Sequence, residues 1–487
     1  MTSDGGARSS ADGPSDPERP SDVERPSDPE RSGIPERSGV PGPPPGVRRQ
    51  RELGGTILRL AVPALGALIA EPLFLIADTA IVGHLGVDEL AGAGLGTTVL
   101  HTAVGLMIFL AYSTTPSVAR RFGAGRMDQA LAAGRDGLWL ALALGAVLAA
   151  AGWAAAPALT GAMGATGQVQ GFAIDYLRWS MPGLPAMLLV LAATGTLRGL
   201  QDTRTPLVVA AAGFGSNVVL NFVLVYGAGL SVAGTAMGTS LAQWGMAAVY
   251  LRLLLPRARA HGVRLGPDRA GLVAAGRVGS WLMLRTLSLR VAVLATVWVA
   301  TGLGTATLAA HQLVFTVFTF LAFALDALAI AAQALIGKEL GAGNPALARR
   351  LTSTMVRWGL GFGVATGAAL ALAAPFAGAL FTPDAEVRAA TAAGLWVLAA
   401  AQPLCGLVFV LDGVLIGAGD ARYLSLAGLV SLAAYLPLLW LVSAADPRGA
   451  AAVLWLWAAF GVGYLAARAA TLLWRIRDDR WMGAVAA

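Results

Sequence analysis

GTLRGLQDTR, residues 195–204, returns as GVLIGAGDAR at residues 413–422. Gly195, Leu197, Gly199, Asp202 and Arg204 match Gly413, Leu415, Gly417, Asp420 and Arg422 at an offset of 218. The same offset aligns FGAGRMDQA from Phe122 with LGAGNPALA from Leu340, and HLGVDELAGAGL from His84 with GLGTATLAAHQL from Gly302. Three ungapped matches at one offset mean that the chain is a duplicated unit.

Each copy is strongly apolar. The 487 residues are 56% hydrophobic and only 13% charged, where a soluble domain carries about 25% charged residues. From Thr56 onward, apolar runs of about 20 residues, the length that crosses a bilayer, alternate with short Gly-, Arg- or Pro-containing breaks. Twelve spans are expected, near 56–83, 90–118, 129–156, 172–197, 205–226, 232–255, 271–301, 306–336, 347–373, 388–416, 422–442 and 449–474. Lipid offers the backbone no partner, so these read as helices; a barrel would show ten-residue alternation. The fold class is thus an all-α polytopic membrane protein with two pseudo-symmetric six-helix lobes. Six spans per copy give both copies one orientation, related by an axis along the membrane normal, as in transporters.

Charge sets the topology. Arg48, Arg49, Arg51 and Arg59 lie before or at the start of span one; Arg120, Arg121, Arg126 and Arg135 lie at the junction of spans two and three; Arg198 and Arg204 follow span four; Arg252, Arg257, Arg259, Arg264, Arg269 and Arg277 lie in the break between spans six and seven and at the span ends that face it. The alternate loops HLGVDEL, PALTGAMGATGQVQG and GAGLS carry no Arg or Lys, while Arg388 and Arg448 are exceptions in the second half. Both termini are expected in the cytoplasm, with the protein in the inner (plasma) membrane. The net charge of +7 therefore belongs to loops, with Lys338 the single lysine, and requires no nucleic-acid partner. Cys405 is alone, so no internal disulfide forms. Residues 1–50, rich in Pro, Ser, Asp, Glu and Arg, read as a disordered tail, either a tether or dispensable, and lack the apolar stretch of a secretory signal. The expected division is a tail 1–50, an N-lobe 51–260 and a C-lobe 261–487.

Few polar residues interrupt the spans. In EPLFLIADTAIVG, residues 71–83, Asp78 costs about 2.5–3.5 kcal/mol at a bilayer centre and is a functional candidate by default, the alternative being an acid satisfied by a neighbouring helix. Glu71 lies on nearly the same face, about 10 Å along the axis, either as a second carboxylate or as an anchor. Asn217 and Asn221 are i and i+4 on one face of span five. Asp326 and Asp412 interrupt spans eight and ten, where the offset pairs them with Ile108 and Thr194. Pro63 and Pro72 interrupt span one, and a proline there frees a carbonyl and kinks a helix. His84, His101 and His311 are scattered without metal-ligand spacing; His101 is either a proton relay or a satisfied histidine. No P-loop, HExxH, GxSxG or Cys/His cluster appears, so neither an enzyme, a cofactor, a metal site nor a nucleotide-driven pump is expected.

The chain resembles the multidrug and toxic compound extrusion (MATE) transporters, nearest to their DinF-like branch, over residues 52–478. The resemblance rests on Pro63 and Asp78, GAG after spans two and eight, RGLQDTRTP, NVVLNFVLVYG, VAGTAMGTSLAQ and LDALAIAAQALIGKELGAG. It implies a monomeric two-lobed antiporter that expels drug-like, often cationic, compounds against H+ or Na+. It also implies roles. Asp78 is the N-lobe coupling acid, Asn217 and Asn221 are its partners, Thr239 is a hydrogen-bonding position or a back-bonded helix threonine, and Pro63 is the bending proline. Many members have Asp where this chain has Asn221, which weakens a tight Na+ site because hard cations prefer charged oxygens. Asp412, with Asp326 as the alternative, is expected to bind a cation in the central cleft, Asp326 being otherwise a structural polar contact. The competing reading is a flippase or exporter of lipid-linked or polysaccharide precursors, which would favour an Arg-lined cavity and extra helices.

Overall fold

The computed structural model describes residues 45–483. The N-terminal tail expected over 1–50 lies almost wholly outside the described residues. Long helices dominate: α1 (Pro45–Gly83), α2 (Val87–Gly123), α3 (Met127–Ala162), α4 (Gly167–Gly199), α5 (Arg204–Gly227), α6 (Ser231–Ala260), α7 (Arg269–Gly302), α8 (Thr305–Gly341), α9 (Pro345–Leu380), α10 (Ala385–Gly417), α11 (Ala421–Ala445) and α12 (Ala450–Ile476). Helix α1 starts at Pro45, inside the stretch expected to be tail; proline at a first helical position loses no hydrogen bond. Eleven of the twelve are long and apolar enough to span a membrane. The exception is α6, whose Gly, Ser and Thr lower its hydropathy. It buries Gly234, Thr235, Gly238, Thr239 and Ser240 within the protein, so small residues give close packing instead of a lipid-facing stripe.

The 218-residue offset carries over into three dimensions. Shifting Val87–Gly123, Met127–Ala162 and Gly167–Gly199 by 218 lands on Thr305–Gly341, Pro345 onward to 380, and Ala385–Gly417. The two copies cross reciprocally where α2 meets α8. A Cβ on Gly123 would lie 1.9 Å from the Lys338 carbonyl oxygen, and one on Gly341 would lie 1.9 Å from the Arg120 carbonyl oxygen. Residues 120 and 338, like 123 and 341, are offset equivalents, so this contact is isologous about a pseudo-two-fold axis. Side chains tie the same end. Gln201 Nε2 donates to the Ala334 carbonyl at 2.9 Å, and Arg120 donates to the Ala418 carbonyl.

The core divides along the membrane axis. Near the Arg-rich helix ends one apolar cluster runs through both lobes, joining Leu110, Leu197 and Leu254 to Leu335, Leu415 and Leu424. Toward the opposite ends the clusters separate, one holding Val82, Ala93 and Val232 and the other Val299, Leu303 and Val442.

Candidate functional site

The N-lobe cavity encloses about 290 Å³ and is bordered by Asp78, Thr239, Gln243 and Arg198. The i, i+4 spacing on α5 stacks Asn217 and Asn221 facing α1. Asn221 Nδ2 donates to Asp78 Oδ1 at 2.7 Å and to Asn217 Oδ1 at 2.8 Å. Asp78 is thus joined to Asn221 directly and to Asn217 through it. All three are buried. Gly238 on α6 makes room for the amide, since a Cβ there would sit 2.1 Å from Asn221 Oδ1. That oxygen and Thr239 Oγ1 are buried without partners among the described residues. Directly after Asn221, α5 widens into a π turn, Val223–Gly227; Tyr226 there donates its hydroxyl to the Ile81 carbonyl at 2.8 Å. Such turns are frequent at functional sites. Glu71 and His101 border the same cavity, but Glu71 is exposed and has no bond to the amides.

Helix α1 meets this site mostly through side chains. Besides the Asp78 and Tyr226 bonds, Phe74 stacks on Phe214 with centroids 5.2 Å apart. Only 11% of its most apolar window is buried, against 33% for its counterpart α7. Helix α7 is held closely by α11: Ser425 donates to the Trp281 carbonyl, and a Cβ on Gly428 would lie 2.7 Å from Ser288 Oγ. Helix α1 continues through Pro63 and Pro72 as one helix.

The C-lobe cavity encloses about 340 Å³. Here the structure departs from expectation. Asp412 is not a free acid: Arg285 Nη2 donates to its Oδ2 and Arg468 Nη2 to its Oδ1, both at 2.6 Å. Both carboxylate oxygens are taken by guanidiniums, so Asp412 does not offer a bare counter-charge to a cation. Arg468 also donates Nη1 to the Leu424 carbonyl at 3.0 Å. Asp326 borders both cavities and has neither a hydrogen-bond nor an ion-pair partner among the described residues.

A family model named MatE matches residues 63–223 and 282–441, two blocks whose ends repeat at the duplication offset to within one residue. The chain belongs to the MATE family. Among relatives, this transporter is 29% identical over 466 residues to Protein DETOXIFICATION 44, chloroplastic, of Arabidopsis thaliana, covering 90% of this chain and 85% of that one. It is 32% identical over 292 residues to DNA damage-inducible protein F of Escherichia coli, covering 58% and 63%. The Vibrio cholerae MATE transporter VcmN in the bent form superposes with a TM-score of 0.81 at 21% identity, over 90% of this chain and 99% of that one. The expected family and its twelve-helix fold are confirmed.

Sequence reasoning overlooked the arginines of this MATE transporter. Arg198, one of the cations expected after span four, is buried in the wall of the N-lobe cavity, with Nε unpartnered among the described residues. Arg285, Arg290 and Arg468 border the C-lobe cavity, from positions inside the expected spans 271–301 and 449–474. The signal was present in LMLRTLSLRVAVL and GYLAARAATLL, because an intramembrane arginine carries the same presumption of function as an intramembrane acid.

Proposed function

We propose that this transporter exports drug-like organic compounds across the inner membrane in exchange for H+, with both termini cytoplasmic and a single chain as the working unit. The working division is an N-lobe of residues 51–260 and a C-lobe of residues 261–487. One observation carries the choice of ion: the Asp78–Asn221–Asn217 chain holds one carboxylate and two neutral amides. One Asn oxygen already accepts from the other Asn, so the cluster is a poor cage for Na+ and a suitable carrier for one proton. Protonation would remove the charge on Asp78 and weaken its bond to Asn221, one of the few ties between α1 and α5. Helix α1 then shifts about Pro63 and closes the N-lobe cavity on its contents. For this to do work, the two positions of α1 must differ in proton affinity.

The expected result is substrate-dependent collapse of a pH gradient in proteoliposomes, with a sodium gradient left intact. Sodium collapse without proton movement would reject the assignment. The precursor-flippase reading gains from the C-lobe arginines, but two cavities of about 340 and 290 Å³ suit small molecules better than a lipid-linked saccharide.

A further inference from the structure

We propose that the C-lobe cavity is an organic-anion subsite, recognising a carboxylate on a flat apolar body. The inference rests on the transport reading above and names its substrate class. Three arginines, Arg285, Arg290 and Arg468, border the cavity against two acids, Asp326 and Asp412. The charge balance is one positive in excess. Asp412 is consumed by Arg285 and Arg468, yet Arg285 keeps a buried Nε without a partner among the described residues. Arg290 has no hydrogen-bond or ion-pair partner at all among the described residues; it is exposed and borders the cavity. It reaches toward the other lobe, where Gly105 admits it: a Cβ on Gly105 would lie 2.8 Å from Arg290 Nη2. Arginine presents a planar fork that matches a carboxylate in two-point contact. An unpaired guanidinium on an apolar wall therefore asks for an anion.

The rest of the wall describes the body of that anion. Phe460 and Tyr464 stack with planes 4° apart and centroids 5.6 Å apart, and Phe318 meets Phe460 edge-on at 5.8 Å. All three border the cavity. The π turn of α12, Ala459–Leu465, displays Phe460 and Tyr464, and α8 supplies Phe318. Asp326 faces the same space and opposes an anion, so it should tune the site in the opposite sense to Arg290. The N-lobe has no such arrangement, since the equivalents of Arg285 and Arg290 are Ala67 and Pro72.

The test uses three probes with one body and three charges: 2-naphthoate, 2-naphthalenemethanol and 2-naphthyltrimethylammonium. Binding to the purified full chain is measured by equilibrium dialysis without any gradient. The parent should bind the carboxylate about tenfold more tightly than the alcohol, the scale of one charge-assisted hydrogen bond, and the cation least. Arg290→Gln should remove most of that preference while leaving alcohol binding in place, which also shows that the variant folds; Arg290→Lys should restore part of it. Asp326→Asn should tighten the carboxylate. The proposal is overturned if the cation binds best, if Arg290→Gln leaves the ratio unchanged, or if Asp326→Asn weakens the cation and leaves the carboxylate unaffected. Charge preference without proton coupling would reject the coupling mechanism alone, and proton coupling without charge preference would reject this subsite alone.

Discussion

Two pairs of equivalent positions separate the lobes. In the N-lobe, Thr194 donates to the Tyr250 hydroxyl at 3.2 Å; the same positions in the C-lobe hold Asp412 and Arg468, an ion pair at 2.6 Å. Conversely, the C-lobe joins Thr296 to Tyr435 by hydroxyls 2.6 Å apart, where the N-lobe has Asp78 and Asn217, linked through Asn221. Each lobe thus keeps one neutral Thr–Tyr contact and places a carboxylate at the other position. The duplication preserved the backbone and exchanged the polarity. The consequence lies in how each acid is held. Asp412 has both oxygens bound to guanidiniums on closely packed helices. Asp78 has one oxygen on a neutral amide, on the helix most weakly held to its neighbours. A fixed charge suits recognition, and a loosely tied acid suits a moving part.

The comparison can be broken at several points. The largest effect is expected from Arg468→Tyr, which puts the N-lobe residue opposite an unchanged Asp412. Removing one member of a buried ion pair costs about 3–5 kcal/mol, and because Arg285 remains, the lower end of that range is expected as a fall in melting temperature of the purified protein. Adding Asp412→Thr, which rebuilds the N-lobe pair, should recover part of the loss; no recovery would mean that the two positions are not interchangeable. Next come Gly123→Ala and Gly341→Ala. Each drives a methyl against a backbone carbonyl of the other copy, and overpacking of this kind costs about 1–3 kcal/mol. Equal losses in the two variants are expected from the isologous crossing, and unequal losses would show that the crossing does not bear equally on both lobes. The smallest effect belongs to Thr194→Val, which removes one neutral hydrogen bond worth about 1 kcal/mol and should leave proton coupling unchanged in proteoliposomes.

Much of this architecture was legible in the sequence. The offset of 218 located the copies, and the apolar runs located the helices, because lipid imposes a length and a helical backbone on every span. The Asp78–Asn221–Asn217 cluster was legible in part: the i, i+4 spacing put both amides on one face, and the family resemblance directed that face to Asp78. The relay order, with Asn221 between the other two, depends on side-chain torsions that no spacing encodes. The C-lobe was less legible. Asp412 meets Arg285 and Arg468 across sequence separations of 127 and 56 residues, so no local pattern announces the pairing. Arg198 was hidden by the rule that counts arginines at helix ends as loop charges; its long side chain folds inward from the last turn of α4 instead.

The account rests on Asp78 being the acid that is charged and uncharged in turn. Asp78→Asn keeps the size and a hydrogen-bonding partner for Asn221 while removing titration. The decisive measurement is substrate-driven proton release from equal amounts of folded parent, Asp78→Asn and Glu71→Gln protein, with export by the same three proteins followed in proteoliposomes. The account predicts that Asp78→Asn inserts and folds but neither releases the proton nor couples export to the gradient, and that Glu71→Gln, which lacks any bond to the amides, does much less harm. Proton release and export by Asp78→Asn at the level of the parent would make Asp78 a structural acid and move the coupling site to Glu71 or to Asp326, which has no hydrogen-bond or ion-pair partner among the described residues.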